Sequence, residues 1–345
     1  MLGRAWFYAI AFVLTSANCY SDLRVGGDSR TDGDWQADSQ AIMGTDVSVT
    51  LWHPDDETGR QAIAAVMDEM RRIDRALSPY IDTSELSRVN QLAARTPQKI
   101  SDEFVMLVDK SLYFSRISEG AFDITYASVG WKYDYRNKQQ PSDEERQHLL
   151  PAINYQLLRL DKSKKTLYFG HPDIRIDLGG IAKGYAVDRA VELLKAHGVE
   201  HATVSAGGDS RVMGDKMGRP WIVGIKNPRA GENHDSPPVI RLPLTDTAIS
   251  TSGDYERYFI DDTSGERIHH IINPKTGRSA TGVISVTVLG PKGVDTDPLS
   301  TTVFVLGVEK GLKLVNRLQG IDCVIIDSSG KVHFSTGLSP PESSG

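Results

Sequence analysis

Three short stretches of the chain carry residue types whose spacing could do chemistry. The first is Ile176-Asp-Leu-Gly-Gly-Ile-Ala-Lys-Gly-Tyr185. Its glycines let the backbone approach a ligand closely, and free amides at a helix start bind phosphate. Lys183, in the first turn of the expected helix, adds a point charge suited to a diphosphate. The stretch is not a P-loop, because Lys183 precedes Gly184 and no Ser or Thr follows; nor is it a G-x-G-x-x-G fingerprint. A tight strand-to-helix turn would use the same residues, so both readings stand at this point.

The second stretch is Val294-Asp-Thr-Asp-Pro-Leu-Ser-Thr-Thr302. Asp297 and Thr301 lie four apart, on one face of a helix expected to open at Pro298. A carboxylate and a hydroxyl are hard oxygen ligands that suit Mg²⁺. The plainer role for Asp297 is a helix cap worth about 1 kcal/mol. The third stretch holds His269 and His270. Neighbours in a strand face opposite ways, so at most one of the two looks into any given site. Zinc does not fit, since helical i, i+4 spacing and nearby thiolates are missing. No G-x-S-x-G elbow occurs, which argues against a serine hydrolase. Tyr126, Trp131, Tyr133 and Tyr135 cluster after Gly120-Ala-Phe-Asp-Ile-Thr125. Such rings could stack on a flat ligand or simply pack together.

Positioning these residues requires a scaffold of both strands and helices. Ile42–Leu51 alternates as a half-buried strand. Ile63, Val66, Met67, Met70, Ile73 and Leu77 recur at helical spacing over Glu57–Leu77. A short helix follows, with Asp82 and Glu85 as a capping box. Ser101–Glu119 is a further helix stopped by Gly120, and Ser142-Asp-Glu-Glu145 opens a short one that ends near Pro151. Strands are expected at 155–160, 166–169 and 174–177, then a helix over Ala182–His197 and a strand over Ala202–Ser205. The second half reads mostly as strands: 221–226, 239–242, 255–260, 267–272 and 283–289. A helix over Pro298–Leu306, a break at Gly307, a second helix to Leu318 and a final hairpin complete the chain. No clean linker interrupts residues 42–338, so one large α+β domain is expected.

Composition narrows the class. The 345 residues carry 39 Lys and Arg against 45 Asp and Glu, a formal charge of −6, which argues against a nucleic-acid binder. Hydrophobic residues at 39% and charged ones at 24% are globular values, excluding a disordered chain. Two cysteines, Cys19 and Cys323, cannot build a disulfide scaffold. Residues 1–17 pair one Arg with a short apolar run and small residues, the pattern of a signal peptide. The run is too short to span a membrane. Export to the periplasm is therefore expected, ending either in cleavage after Ala17 or in lipid attachment at Cys19. Residues 18–41, rich in Asp, Gly and Ser, read as a flexible tether.

In this order, eight segments resemble the ApbE-type FAD:protein FMN transferase family. They are Met43-Gly-Thr45; Ser78-Pro-Tyr80 with Ser84-Glu-Leu-Ser-Arg-Val-Asn90; Gly120-Ala-Phe-Asp-Ile-Thr125; Asp177-Leu-Gly-Gly-Ile-Ala-Lys-Gly-Tyr-Ala-Val-Asp188; Ala206-Gly-Gly-Asp209; Ser250-Thr-Ser-Gly-Asp254; His270-Ile-Ile-Asn-Pro274 with Thr276-Gly277; and Asp297–Thr301. Two departures stand out: Asn273 and Asp209 occupy positions where the family often has Asp and Glu. The resemblance implies a T-fold-like α+β body of mixed sheets and packed helices that uses Mg²⁺ and takes FAD as substrate. It implies cleavage of the FAD diphosphate, FMN transfer to a Thr or Ser of an acceptor protein, a subunit of a membrane redox complex, and release of AMP. It further implies Asp297, Thr301 and the Gly180 carbonyl as metal ligands and Tyr80 as a flavin-stacking ring. Met43, Ala121, Phe122, Asp123, Asp177, Lys183 and Ile272 would be FAD contacts, and His270 would sit beside the reacting phosphate. A pyrophosphatase releasing FMN and AMP, or a non-catalytic FAD-binding protein, would be built from the same residues.

Overall fold

Met43 and Gly44 both adopt left-handed backbone, with φ of 56° and 67°, as in a two-residue hairpin turn. The single strand expected over Ile42–Leu51 is therefore folded back on itself. β1 (Asp34–Ile42) pairs antiparallel with β2 (Thr45–His53), from Asp34↔His53 to Ile42↔Thr45. The computed structural model describes residues 34–230 and 236–338. The apolar run at residues 1–17 and Cys19 lie outside the described residues. The tether expected to reach residue 41 gives way to β1 at Asp34. β1 escaped notice because it is the edge strand of its sheet, where polar side chains remain in water and no apolar alternation is demanded.

α1 (Asp56–Leu77) buries Ile63, Val66, Met67, Met70, Ile73 and Leu77, as its periodicity requires. α2 (Glu85–Leu92) is capped by Ser84, whose hydroxyl accepts from Ser87 N at 2.9 Å. Asp82 does not cap it, because Ser84 N is bonded to Ile81 O and that turn places the helix start beyond Asp82. β3 (Gln98–Lys99) precedes α3 (Asp102–Ile117), which Ser101 caps. α4 (Ala127–Gly130) and α5 (Asp143–Leu149) follow, the latter opened by the Ser142/Glu145 capping box. β4 (Leu158–Asp161) and β5 (Thr166–Phe169) join β3 in a three-stranded sheet. The strand expected from Tyr155 begins only at Leu158, after a 3₁₀ turn capped by Asn154.

Residues 174–177 have no strand partner among the described residues; the side chain of Asn90 replaces it. Asn90 Oδ1 accepts from Ile176 N at 2.8 Å, and Nδ2 donates to Ile176 O at 2.9 Å. An extended segment is thus satisfied as if in a ladder, and it delivers Asp177 to the turn before α6 (Ala182–Ala196).

The rest builds the main sheet. β6 (His201–Ala206) and β7 (Asp209–Met213) turn at Gly207-Gly208; β8 (Trp221–Ile225) and β9 (Ile240–Leu244) form a hairpin; β10 (Ala248–Gly253) returns to the sheet. The hairpins β11 (Tyr258–Ile260) with β12 (Arg267–His269) and β13 (Ile272–Asn273) with β14 (Arg278–Ser279) then lead into β15 (Val283–Gly290). The one strand expected over 267–272 is broken at His270-Ile271. α7 (Gly293–Val315) connects β15 to β16 (Asp322–Asp327), and β17 (Val332–Phe334) closes the chain. The order β1-β2-β6-β7-β10-β15-β16-β17 is antiparallel at every pairing.

α1, α6 and α7 cover one face of this sheet, where Val47, Val204, Val286 and Val288 meet Val66, Val187 and Val303 in the main core. The β8–β9 hairpin serves the other face, packing Trp221, Val223 and Leu242 on Val212, Ile249 and Leu289. β15 is buried along its whole length in consequence. No helix among the described residues is long and apolar enough to cross a membrane.

Candidate functional site

α6 and α7 meet through two glycines. A Cβ on Gly184 would run into the carbonyl oxygen of Gly293 and reach 2.6 Å from Asp297 Cβ. A Cβ on Gly293 would lie 2.9 Å from Val187 Cγ2 and press on the Gly184 carbonyl. Only bare backbone permits this approach, and it sets the first turn of α6 against the start of α7. α7 starts at Gly293, five residues before the expected opening at Pro298, so Pro298 lies inside the helix. Asp297 therefore does not cap its own helix. Its Oδ2 accepts from Gly184 N at 2.9 Å, on α6.

Lys183, one residue earlier on α6, reaches two carboxylates. Its Nζ lies 2.6 Å from Asp209 Oδ2 and 3.8 Å from Asp297 Oδ2. Asp209 and Asp297 are both buried, at 2% and 3% exposure. Burial and the charge of Asp209 push the Asp297 pKa up. Burial alone would lower the Lys183 pKa, yet the charges of Asp209 and Asp297 outweigh it and raise the value. One ammonium thus holds two buried acids that would otherwise repel each other.

The three expected metal ligands are neighbours. Thr301 follows Asp297 by one turn, and a Cβ on Gly180 would lie 3.7 Å from Thr301 Oγ1. Ser252 Oγ, from β10, contacts both Thr301 Oγ1 (3.2 Å) and Ser300 Oγ (2.8 Å). Phe122 closes the other side of Gly180, with its Cε2 3.2 Å from the same notional Cβ. No cluster of three or more His, Cys, Asp or Glu able to hold a metal occurs among the described residues. One carboxylate with neutral hydroxyl and carbonyl oxygens is a donor set for Mg²⁺, which completes its shell with water and substrate phosphates. It is a poor one for zinc.

The two histidines have different environments. His269 is buried at 3% exposure, with Nε2 bonded to Ala280 O at 2.8 Å and Nδ1 accepting from Ile271 N at 3.3 Å. Its ring lies edge-on to Phe304. Both nitrogens are spent on scaffold. His270 sits in the break between β12 and β13, its backbone N held by Arg257 O at 3.1 Å. Its buried Nδ1 has no hydrogen-bond partner among the described residues. Burial first, then the positive charges of Arg257 and Lys183, lower its pKa to about 3. The ring is neutral, with one buried nitrogen left unpaired and within range of the charges of Arg257 and Lys183.

The remaining expected contacts sort into two groups. Tyr80 is 76% exposed and stacks on Trp131, with centroids 5.7 Å apart and planes 28° apart. The Arg175 guanidinium lies 4.3 Å from the Trp131 ring centre. Asp177 is half-buried; its Oδ1 accepts from Gly179 N at 2.6 Å, and burial raises its pKa. Met43 sits at the β1–β2 turn and packs partly on the core. The others serve the frame. Asp123 spends its oxygens on Thr125 N, Thr125 Oγ1 and Tyr155 N, at 2.8, 2.6 and 2.8 Å. Ala121 is buried, and Ile272 is packed among Val129, Tyr133, Phe259 and Ile268.

Three residues of this cluster carried no assigned role in the sequence reading. Asp209 entered only as the end of the Ala206-Gly-Gly-Asp209 segment, where the family often has Glu. Asp188 accepts from Gly293 N and Val294 N at 2.8 and 2.9 Å, capping α7 from α6. Arg257 lies beyond the Ser250–Asp254 segment and reaches Gly44 O. The signal for Asp209 was the glycine pair before it: a Cβ on Gly207 would come 2.6 Å from Thr45 Oγ1, and one on Gly208 2.5 Å from Thr251 O. Those glycines let the β6–β7 turn squeeze between two neighbours and present the carboxylate to Lys183.

Residues 43–325 match the model of the ApbE family. Among curated relatives, an FAD:protein FMN transferase of Treponema pallidum is 30% identical over 294 residues, 80% of each chain. One of Vibrio cholerae is 30% identical over 352 residues, 98% of each chain. The solved ApbE protein of Thermotoga maritima superposes with a TM-score of 0.79 at 31% identity, covering 88% of this chain and 98% of that one. The flavin transferase ApbE of Vibrio cholerae gives 0.76 at 28% identity over the same shares. On this agreement of sequence, fold and coverage, the chain belongs to the ApbE family.

Proposed function

We propose that this protein is an FAD:protein FMN transferase, which cleaves the FAD diphosphate, attaches FMN to a Thr or Ser hydroxyl of an acceptor protein and releases AMP. The observation that carries the reading is a neutral His270 with an unpaired Nδ1, within range of the charge of Lys183, which in turn holds two buried carboxylates. The activity of the relatives supports it.

The chemistry asks for positioning and charge neutralisation more than for covalent help. The attacking hydroxyl oxygen forms a new bond to the FMN phosphorus, the bond to the AMP oxygen breaks, and the hydroxyl proton must go to a base. His270 Nδ1 is the free acceptor for it. Its depressed pKa belongs to a site without phosphate. A bound diphosphate sets negative charge against Arg257 and Lys183, removing two of the causes that hold the value down. Lys183 keeps Asp209 and Asp297 in place, and Tyr80 offers an exposed ring face on which a flavin can stack.

Asp297, Thr301 and the Gly180 carbonyl would hold Mg²⁺. When bound, that ion neutralises phosphate charge and steadies the leaving AMP. Asp177, Met43 and Phe122 serve as FAD contacts in this reading. Ala121, Asp123 and Ile272 act through packing and backbone support. The signal-like pattern of residues 1–17 favours an exported, periplasmic enzyme acting on subunits of membrane redox complexes, with any lipid anchor at Cys19.

The test is incubation of the protein with FAD, Mg²⁺ and an acceptor domain carrying a Thr. Flavin fluorescence should co-migrate with the denatured acceptor, with AMP released in equal amount. AMP and free FMN without a labelled acceptor would make the protein a pyrophosphatase, and intact FAD would make it a binding protein.

A further inference from the structure

We infer that Arg257 is a phosphate-binding residue of this site, gripping the diphosphate of the nucleotide substrate. The inference rests on the transferase reading above and extends it to a residue to which no role had been given.

Arg257 lies in the loop between β10 and β11 and joins two parts of the site. Its backbone carbonyl accepts from His270 N at 3.1 Å, so it fixes the loop on which the free imidazole nitrogen is carried. Its guanidinium reaches across to the β1–β2 turn, where Nη2 donates to Gly44 O at a long 3.3 Å. That is the only hydrogen bond the guanidinium makes among the described residues, and it has no ion pair there. The side chain is exposed. A guanidinium with five donors and one weak neutral partner retains most of its capacity for an anion.

Its charge is directed at the site. Arg257 is near enough to Asp177 and Tyr126 to lower their pKa values, and to His270 and Lys183 to act in the same sense on theirs. Lys183 is already engaged with Asp209 and Asp297, whereas Arg257 has no acid at hydrogen-bond distance among the described residues. A planar fork matches two phosphate oxygens at once, which a single ammonium cannot do. The fork lies against the bare turn at Gly44, where a Cβ would stand 3.5 Å from Nη2 in ordinary contact.

A strut between two loops is the competing role, and the two roles separate on FAD, which carries the diphosphate, and riboflavin, which lacks it together with the adenosine. FAD and riboflavin are titrated by flavin fluorescence, with EDTA present, into the wild-type protein, Arg257→Gln and Arg257→Lys; thermal melts accompany each. Charge-assisted hydrogen bonds to phosphate predict that Arg257→Gln weakens FAD binding about tenfold or more. Riboflavin binding should stay within about twofold, the melting temperature should hold, and Arg257→Lys should recover part of the loss, since the charge remains and the fork does not. FAD affinity unchanged in Arg257→Gln, or FAD and riboflavin affinity falling together, would leave Arg257 as a strut and overturn the inference. A wild-type protein that binds riboflavin as tightly as FAD would instead remove the diphosphate site itself, and this inference with it.

Discussion

Asp188 and Asp297 cap each other's helices. Asp188 rides on α6 and accepts from Gly293 N and Val294 N at the start of α7, while Asp297 rides on α7 and accepts from Gly184 N at the start of α6. Neither helix has a side-chain cap of its own, at Ile181 or at Lys292. Two anions thus sit at two positive helix ends, and each has a cation beside it: Arg211 for Asp188 and Lys183 for Asp297. The exchange locks the angle between the helices that frame the site.

The two acids should nevertheless respond differently to substitution. Asp188→Ala leaves two helix amides and the Arg211 guanidinium without their acceptor, and should cost about 3 kcal/mol of stability. Asp297→Asn keeps a carbonyl for the Gly184 amide and removes a charge that burial and Asp209 disfavour. Its melting temperature should stay close to wild type while Mg²⁺-dependent FAD cleavage disappears. A melt in which Asp297→Asn falls as far as Asp188→Ala would place Asp297 in the scaffold.

Gly184→Ala reverses an ordinary rule. Replacing a helical glycine by alanine normally gains up to about 1 kcal/mol. Here the new Cβ meets the Gly293 backbone and comes within 2.6 Å of Asp297 Cβ. The helices must separate, carrying Lys183 away from Asp297. A loss of about 3 kcal/mol is expected, together with loss of Mg²⁺-dependent FAD cleavage. A variant as stable as wild type in denaturant titration would show that the crossing is looser than the structure has it.

For the paired histidines the contrast is chemistry against stability. His270→Ala should cut FMN transfer by about 10²–10⁴-fold, the usual contribution of a general base, and leave FAD affinity nearly unchanged. His269→Ala empties a buried position and strips partners from Ala280 O and Ile271 N. It should lower stability by about 2–4 kcal/mol. Single-turnover rates and thermal melts on the two variants separate these outcomes. Transfer that survives in His270→Ala would leave proton removal to another group or to solvent.

Much of the frame was legible because its signals are local. The stripe over Ile63–Leu77, the Ser142/Glu145 box and the run Val283–Leu289 each report on their own neighbourhood. The hidden elements depend on distant partners. β10, Ala248–Gly253, reads as a polar Ser/Thr segment, yet it is central because Ser250 and Ser252 find Thr296 and Ser300 on α7. Residues 174–177 looked like a strand because Ile174 and Ile176 alternate with Arg175 and Asp177, but Asn90, 86 positions upstream of Ile176, stands in for the ladder. In the site, Asp297, Thr301 and Gly180 were expected together and lie together. The cap that Asp297 provides was assigned to the wrong helix, since a cap that crosses between helices leaves no trace in spacing. Asp123 and Ile272 were expected at the ligand; their side chains are taken up by Tyr155 and by a small apolar core.

The last prediction concerns acid. His269 and His270 both have pKa values lowered by burial, His270 to about 3. The unfolded chain has histidines near about 6.5. Between those values the unfolded state binds protons that the folded state refuses, so each histidine makes the protein less stable as pH falls from about 6.5 toward 3. Asp123 and Asp177, whose pKa values burial raises, act in the opposite direction. A pH curve of the wild type alone therefore mixes the two signs. Comparing it with His270→Gln removes one histidine and leaves the acids in place. Denaturant titrations at pH 7.5 and pH 4.5 should show the wild type losing more stability than the variant across that interval. Equal losses would mean that the His270 ring takes up its proton as readily as in the unfolded chain, and the neutral ring held beside the charges of Arg257 and Lys183 would have to be abandoned.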